Sequence, residues 1–156
     1  MSQFKYLSEK ILDAEFGDSP FKHVLIEDFL SEEHLQAIIN DPQIHWDETA
    51  STEELISKLF EKSYVVQKFP GCITDVYEYI KRYKNNDFPT GRKGNPVESF
   101  GITFRLQRYQ NPFIKDLVNY LNGKEFKSAL TTKFNITANT NIITAIQKNL
   151  SHYEIS

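Results

Sequence analysis

Residues 99 to 109 read SFGITFRLQRY, and they alternate strictly. Phe100, Ile102, Phe104 and Leu106 fall on one face, with Gly101, Thr103, Arg105 and Gln107 on the other. Successive side chains of an extended chain point to opposite sides, so this stretch is a β-strand with one apolar face. It is the clearest strand in the chain, and the fold follows from what pairs with it and what covers it.

Upstream lies NNDFPTGRKGNP, residues 85 to 96, a loop by its Asn, Gly and Pro content. Before it, Val76, Tyr77, Ile80 and Tyr83 are spaced for a helix over about 73 to 83. Ser51 with Glu54 forms a capping-box pattern that opens another helix, with Leu55, Leu59 and Phe60 facing inward. Ser31 is an N-cap followed by Glu32 and Glu33, where carboxylates suit the positive helix end. Leu35, Ile38 and Ile39 are the expected inner stripe of that helix, which Asp41-Pro42 closes. FKHVLIEDFL, residues 21 to 30, reads as a strand, and Ser8 to Phe16 as a short helix with Ile11, Leu12 and Phe16 inward.

Downstream, Asn111-Pro112 puts proline at a first helical position, and Phe113, Ile114, Leu117, Val118 and Leu121 give an amphipathic helix that Asn122-Gly123 ends. A short helix through Phe126, Leu130 and Phe134 precedes a closing strand over 141 to 150. In that strand Gln147 and Asn149 share a face. Three well-separated strands do not close a barrel, so the expectation is an α+β chain with an unfinished sheet.

The 156 residues suit one domain, 1–156, and 40% apolar with 13% aromatic content supplies a core. A net charge of -3 gives no basic field, so nucleic-acid binding is not expected. Cys72 stands alone, which excludes an intrachain disulfide and suits a small buried apolar group. With no signal-type apolar segment and no stretch of membrane-spanning length, the expected location is cytoplasmic and no membrane partner is expected.

His45-Trp46-Asp47 is an H-x-D spacing, two thirds of a facial triad for non-haem iron, and His152 is the one histidine downstream of it. Because this H-x-D falls in a connecting loop, it reads as a surface histidine beside an anchoring tryptophan; a site built from His45, Asp47 and His152 is the weaker alternative. His23 and His34 read as structural or solvated. Gly91-Arg92-Lys93-Gly94 lacks the ending of a phosphate loop and reads as a solvated turn. Arg105 and Arg108, near a strand end, are possible contacts for an anion. These residues contain no catalytic set.

SPFKHVLIEDFLSEEHLQAII, residues 19 to 39, resembles the opening of the iron(II)- and 2-oxoglutarate-dependent oxygenases of the prolyl-hydroxylase-like group, a short strand ending in Asp28-Phe29-Leu30 and then an acidic, N-capped helix. FRLQRYQNPFIKDLVNYLNGKEFKSALTTKFNI, residues 104 to 136, is similar to the paired helices that precede the core strands of that family. IITAIQKNLSHYEIS resembles the strand that runs into its Pro-His-x-Asp iron ligands. The resemblance implies N-terminal helices plus an incomplete double-stranded β-helix of jelly-roll type, forming the N-terminal portion of a hydroxylase. It implies Fe(II) and 2-oxoglutarate in the intact protein, no metal ligands or catalytic residues within this chain, and neither cofactor bound by this chain alone. Gln147, Asn149 and Tyr153 would line the 2-oxoglutarate cavity. The alternative is a non-catalytic module complete at 156 residues, which binds a partner through its aromatic surface or the 85 to 96 loop.

Overall fold

The computed structural model describes residues 2–46, 51–68, 73–85, 101–136 and 142–151. In chain order the elements are α1 (Lys5–Asp13), β1 (Phe16–Gly17), β2 (His23–Val24), α2 (Glu32–Ile39), α3 (Thr52–Glu61), β3 (Tyr64–Val66), α4 (Val76–Asn85), β4 (Gly101–Leu106), α5 (Pro112–Leu121), α6 (Lys124–Phe134) and β5 (Gln147–Ser151). The class is α+β. The chain divides into two compact units, each built from two stretches: Met1–Trp46 with Gln110–Thr144, and Asp47–Tyr109 with Ala145–Ser156. No helix among the described residues is long and apolar enough to cross a membrane.

The first unit is mainly helical. Phe4, Leu7 and Ile11 pack on Leu117 of α5 and on Phe126 and Ala129 of α6. The helix expected over 8 to 16 sits earlier and stops at Asp13; Leu12 is exposed and Phe16 lies in β1. Its last carbonyls need donors, and Lys133 of α6 supplies them by reaching Leu12 O at 2.9 Å and also Ala14 O. The same ammonium lies 5.0 Å from the Phe16 ring, with Lys22 4.2 Å away.

The strand expected over 21 to 30 is reduced to His23–Val24, paired antiparallel with Phe16–Gly17. Asp28 has φ 48, a left-handed backbone that breaks an extended run. Phe21 and Leu25 are exposed, whereas Ile26, Phe29 and Leu30 reach the core from irregular chain.

Ser31 caps α2, its Oγ accepting from His34 N at 3.3 Å. The facing of the helix differs in part from the expected one: Ile38 packs on the core as expected, but Leu35 and Ile39 are exposed and His34 is buried. Asn111 caps α5, Oδ1 accepting from Phe113 N at 2.9 Å. Asn122-Gly123 ends α5 as expected, with Asn122 as its C-cap, and Gly123 is also the N-cap of α6. Buried Asp41 links the chain after α2 to the start of α5, its carboxylate accepting from Gln43 N and from Asn111 Nδ2, each at 2.8 Å. Gln43 Oε1 in turn accepts from Gln110 N at 2.7 Å.

The second unit holds a three-stranded antiparallel sheet in the order β3-β4-β5, with α3 and α4. The Ser51–Glu54 capping box forms as the spacing predicts, with Ser51 N donating to Glu54 Oε2 at 2.9 Å and Glu54 N to Ser51 Oγ at 3.4 Å. Ile56 and Leu59 are the buried residues of α3. Phe60, expected inward, is 48% exposed yet sets its ring edge-on to Phe104 at 5.7 Å. Ser63 then turns the chain at φ 70 into β3, a strand the sequence reading omits. In α4, Tyr79 faces inward while Tyr77, expected there, is 85% exposed.

The central strand, β4, pairs Tyr64↔Leu106 and Val66↔Phe104 on one side and Ile102↔Leu150 and Phe104↔Lys148 on the other. Tyr64, Ile102, Phe104 and Leu59 are fully buried. The expected alternation of a covered and a wet face gives way to burial on both, since Gly101 and Thr103 are buried too. Ladder pairing of the last strand begins at Gln147 rather than near 141. The 85 to 96 loop lies outside the described residues beyond Asn85, as do Cys72, residues 91–94, Asp47, His152 and Tyr153.

Candidate functional site

Alternation and register bring four polar side chains together on one face of the sheet. Thr103 stands opposite Asn149 and Arg105 opposite Gln147, with β4 contributing the inner pair and β5 the outer. Thr103 Oγ1 donates to Asn149 Oδ1 at 2.9 Å. A guanidinium has donors and no acceptor, so the Gln147 amide turns its oxygen to Arg105. In that orientation Oε1 accepts from Nη2 at 2.9 Å and from Nε at 3.2 Å. Thr103 is 9% exposed and Arg105 half-buried, whereas Gln147 and Asn149 are exposed. The amides are thus held from behind by donors.

Of the side chains expected at a cofactor cavity, the structure brings Gln147 and Asn149 together, and Tyr153 lies outside the described residues. Sequence reasoning considered Arg105 as an anion contact and gave Thr103 no role. The signal for both was present in the alternation of 99 to 109; the register that selects their partners was not. Arg108 lies past the end of β4.

The histidines serve elsewhere. His34 is enclosed by rings, with centroids of Phe113 and Phe4 at 5.1 and 5.2 Å, and its Nδ1 is 2.9 Å from Tyr6 Oη. His23 packs its ring over Gly17, where an added Cβ would lie 2.7 Å away, and hydrogen-bonds Phe21 O. His45 is exposed, its backbone N–H bonded to Asp41 O at 2.8 Å. Among the described residues no group of three His, Cys, Asp or Glu side chains is placed to hold a metal ion, so these residues do not fit iron. The polar sheet face carries amide and guanidinium groups, which are of the kind that donate to a carboxylate.

Perturbed protonation lies away from that face. Burial, then the neighbouring Tyr83, pushes the Tyr79 hydroxyl above the ordinary tyrosine range. Burial also raises Tyr120, against the hydrogen bond it shares with Ser8 Oγ at 2.6 Å. The hydrogen bond from Lys84 on α4 lowers the exposed Glu53 carboxyl on α3.

Comparison of the chain with protein families, with characterised proteins and with solved structures returns no match.

Proposed function

We propose that this chain is the N-terminal portion of an iron(II)- and 2-oxoglutarate-dependent oxygenase of the prolyl-hydroxylase-like group. One observation carries the reading: Gln147 and Asn149 meet Arg105 and Thr103 on a polar face of β5 and β4. The tail that includes β5 is the segment that resembles the family's strand before Pro-His-x-Asp. On this reading the antiparallel sheet is the beginning of a double-stranded β-helix, with the helices as its N-terminal support. In the intact oxygenase of this reading, iron would be held by residues outside those described and would supply hydroxylation of a C–H bond coupled to decarboxylation of 2-oxoglutarate. The role of this chain's residues is to bind and orient the co-substrate. A cytoplasmic setting accords with the single cysteine.

The test is to read the gene past the codon for Ser156 and assay the complete product. Pro-His-x-Asp within a few codons, a later His and Arg, and iron-dependent succinate formation from 2-oxoglutarate are expected. A stop codon at that point, or a complete protein that makes no succinate, overturns the reading.

A further inference from the structure

Where α1 meets α6 the buried side chains are small, Ser8 on one helix and Ala129 on the other. Short side chains at a helix crossing leave space between the backbones, and here they leave a groove of about 350 Å³, near the lower end of the roughly 300–1,000 Å³ that small-molecule pockets occupy. Phe4 and Phe126 both pack on the Tyr120 ring at one end, and Lys133 reaches Leu12 O at the other, so the two helices run in the same direction. The groove therefore has unlike ends. Lys5 and Glu125 stand near the helix beginnings with Glu9 one turn further on, and Leu12 and Thr132 stand near the helix ends, about 10 Å away by helical rise.

Charge decides what such a groove accepts. Its lining holds two carboxylates, Glu9 and Glu125, against one cation, Lys5, which is already paired with Glu9 at 3.3 Å. Among the described residues no cation is paired with Glu125. On the floor, Ser8 is 5% exposed and its Oγ shares a hydrogen bond with Tyr120 Oη at 2.6 Å, which leaves lone pairs on both oxygens. Burial raises the Tyr120 hydroxyl first, against the Ser8 hydrogen bond, and the Glu125 and Glu9 carboxylates raise it further, as two negative charges near one hydroxyl do. Both acids thus lie around the same pair of hydroxyls.

The geometry points to a binding site for a free, short-chain alkylammonium ion in this groove, its head at Glu125 and Glu9 and its chain along Ala129 and Leu12. An ammonium brings three donors and no acceptor, which suits carboxylate and hydroxyl oxygens, while a carboxylate of the same length meets two like charges and is rejected. The site stands on α1, α6 and Tyr120 alone, so it holds or fails independently of the oxygenase reading.

The test is a backbone-amide NMR titration of the full chain with hexylammonium, hexanol, hexanoate and Nα-acetyl-lysine amide as probes. Saturable shifts around Ser8 and Ala129 are expected with hexylammonium, with weaker binding of hexanol and none of hexanoate. Glu125→Gln should weaken hexylammonium binding about fivefold, as for a solvent-facing charge pair. Lys5→Met removes the competing ammonium from Glu9 and should strengthen binding by a similar factor. Ser128→Leu, at an exposed lining position, should fill the groove and abolish binding. Hexanol or hexanoate binding as tightly as hexylammonium overturns selection for a cation. Equal binding of Nα-acetyl-lysine amide assigns the groove to a lysine side chain of another protein and overturns the free ligand. No saturable shift in the wild-type chain, or unchanged binding in folded Ser128→Leu, overturns the site itself.

Discussion

The Tyr6 hydroxyl accepts from Ser31 N at 3.1 Å and shares a hydrogen bond with His34 Nδ1 at 2.9 Å. Tyr6→Phe leaves the ring nitrogen of buried His34 without its hydrogen-bond partner and should cost about 1–2 kcal/mol in urea unfolding. Asp41→Ala should cost more, about 3 kcal/mol, because it leaves Gln43 N and Asn111 Nδ2 without their buried acceptor; a loss within error of wild type would show that water replaces it. For Tyr79 the direction of pH dependence follows from burial. Folding favours the neutral hydroxyl, so its contribution is fully present below the unfolded pKa of about 10 and is lost as pH rises towards the higher folded value. Stability should therefore fall above about pH 10, and Tyr79→Phe should make that fall shallower. Tyrosinate absorbance on the same samples checks the assignment.

At the scale of elements, side-chain-capped helix starts were legible in the sequence and helix facings only in part: α5 buries Ile114, Leu117 and Val118 as their spacing predicts, while α2 and α4 depart from theirs. Ser31, Ser51 and Asn111 all cap as their spacing predicts, because a cap is a local exchange between neighbours in sequence. Ser51→Ala should lower stability by about 1 kcal/mol, read from the urea midpoint, and should fray α3 first in hydrogen exchange. Facing depends on what lies opposite. Of the inner stripe expected for α2, Ile38 packs on the core but Leu35 and Ile39 do not, because the ring pocket of Phe4 and Phe113 takes the His34 imidazole, which hydrophobic periodicity does not count. The same limit exchanged Tyr77 for Tyr79 in α4. Three-residue β3 was too short to alternate visibly, and its start depends on a left-handed Ser63. Half of the candidate site was legible, since a period of two places Gln147 and Asn149 on one face. Their partners needed the β4–β5 register, which a single strand does not encode.

At the scale of the molecule, each unit has its own buried set: Leu7, Phe126 and Ala129 in one, Leu59, Tyr64 and Phe104 in the other. Leu59→Ala removes a fully buried side chain and should destabilise by about 3 kcal/mol. Exchange protection should drop first in α3, β3 and β4, while α1 and α6 keep theirs. A uniform loss across both units would show that they unfold as one.

The backbone passes between the units at 46/47, 109/110 and 144/145, so neither unit is contiguous in sequence. During synthesis this sets a timetable. Helix α1 leaves the ribosome with Leu7 and Ile11 uncovered, and its partner α6 lies more than a hundred residues behind, as the Ser8–Tyr120 hydrogen bond, 112 positions apart, also marks. Central strand β4 likewise waits for β5. Contacts of such long separation form late and slowly. The nascent chain therefore carries the apolar face of α1 in the open until α6 has emerged, and a chaperone that shields apolar segments has a natural target there.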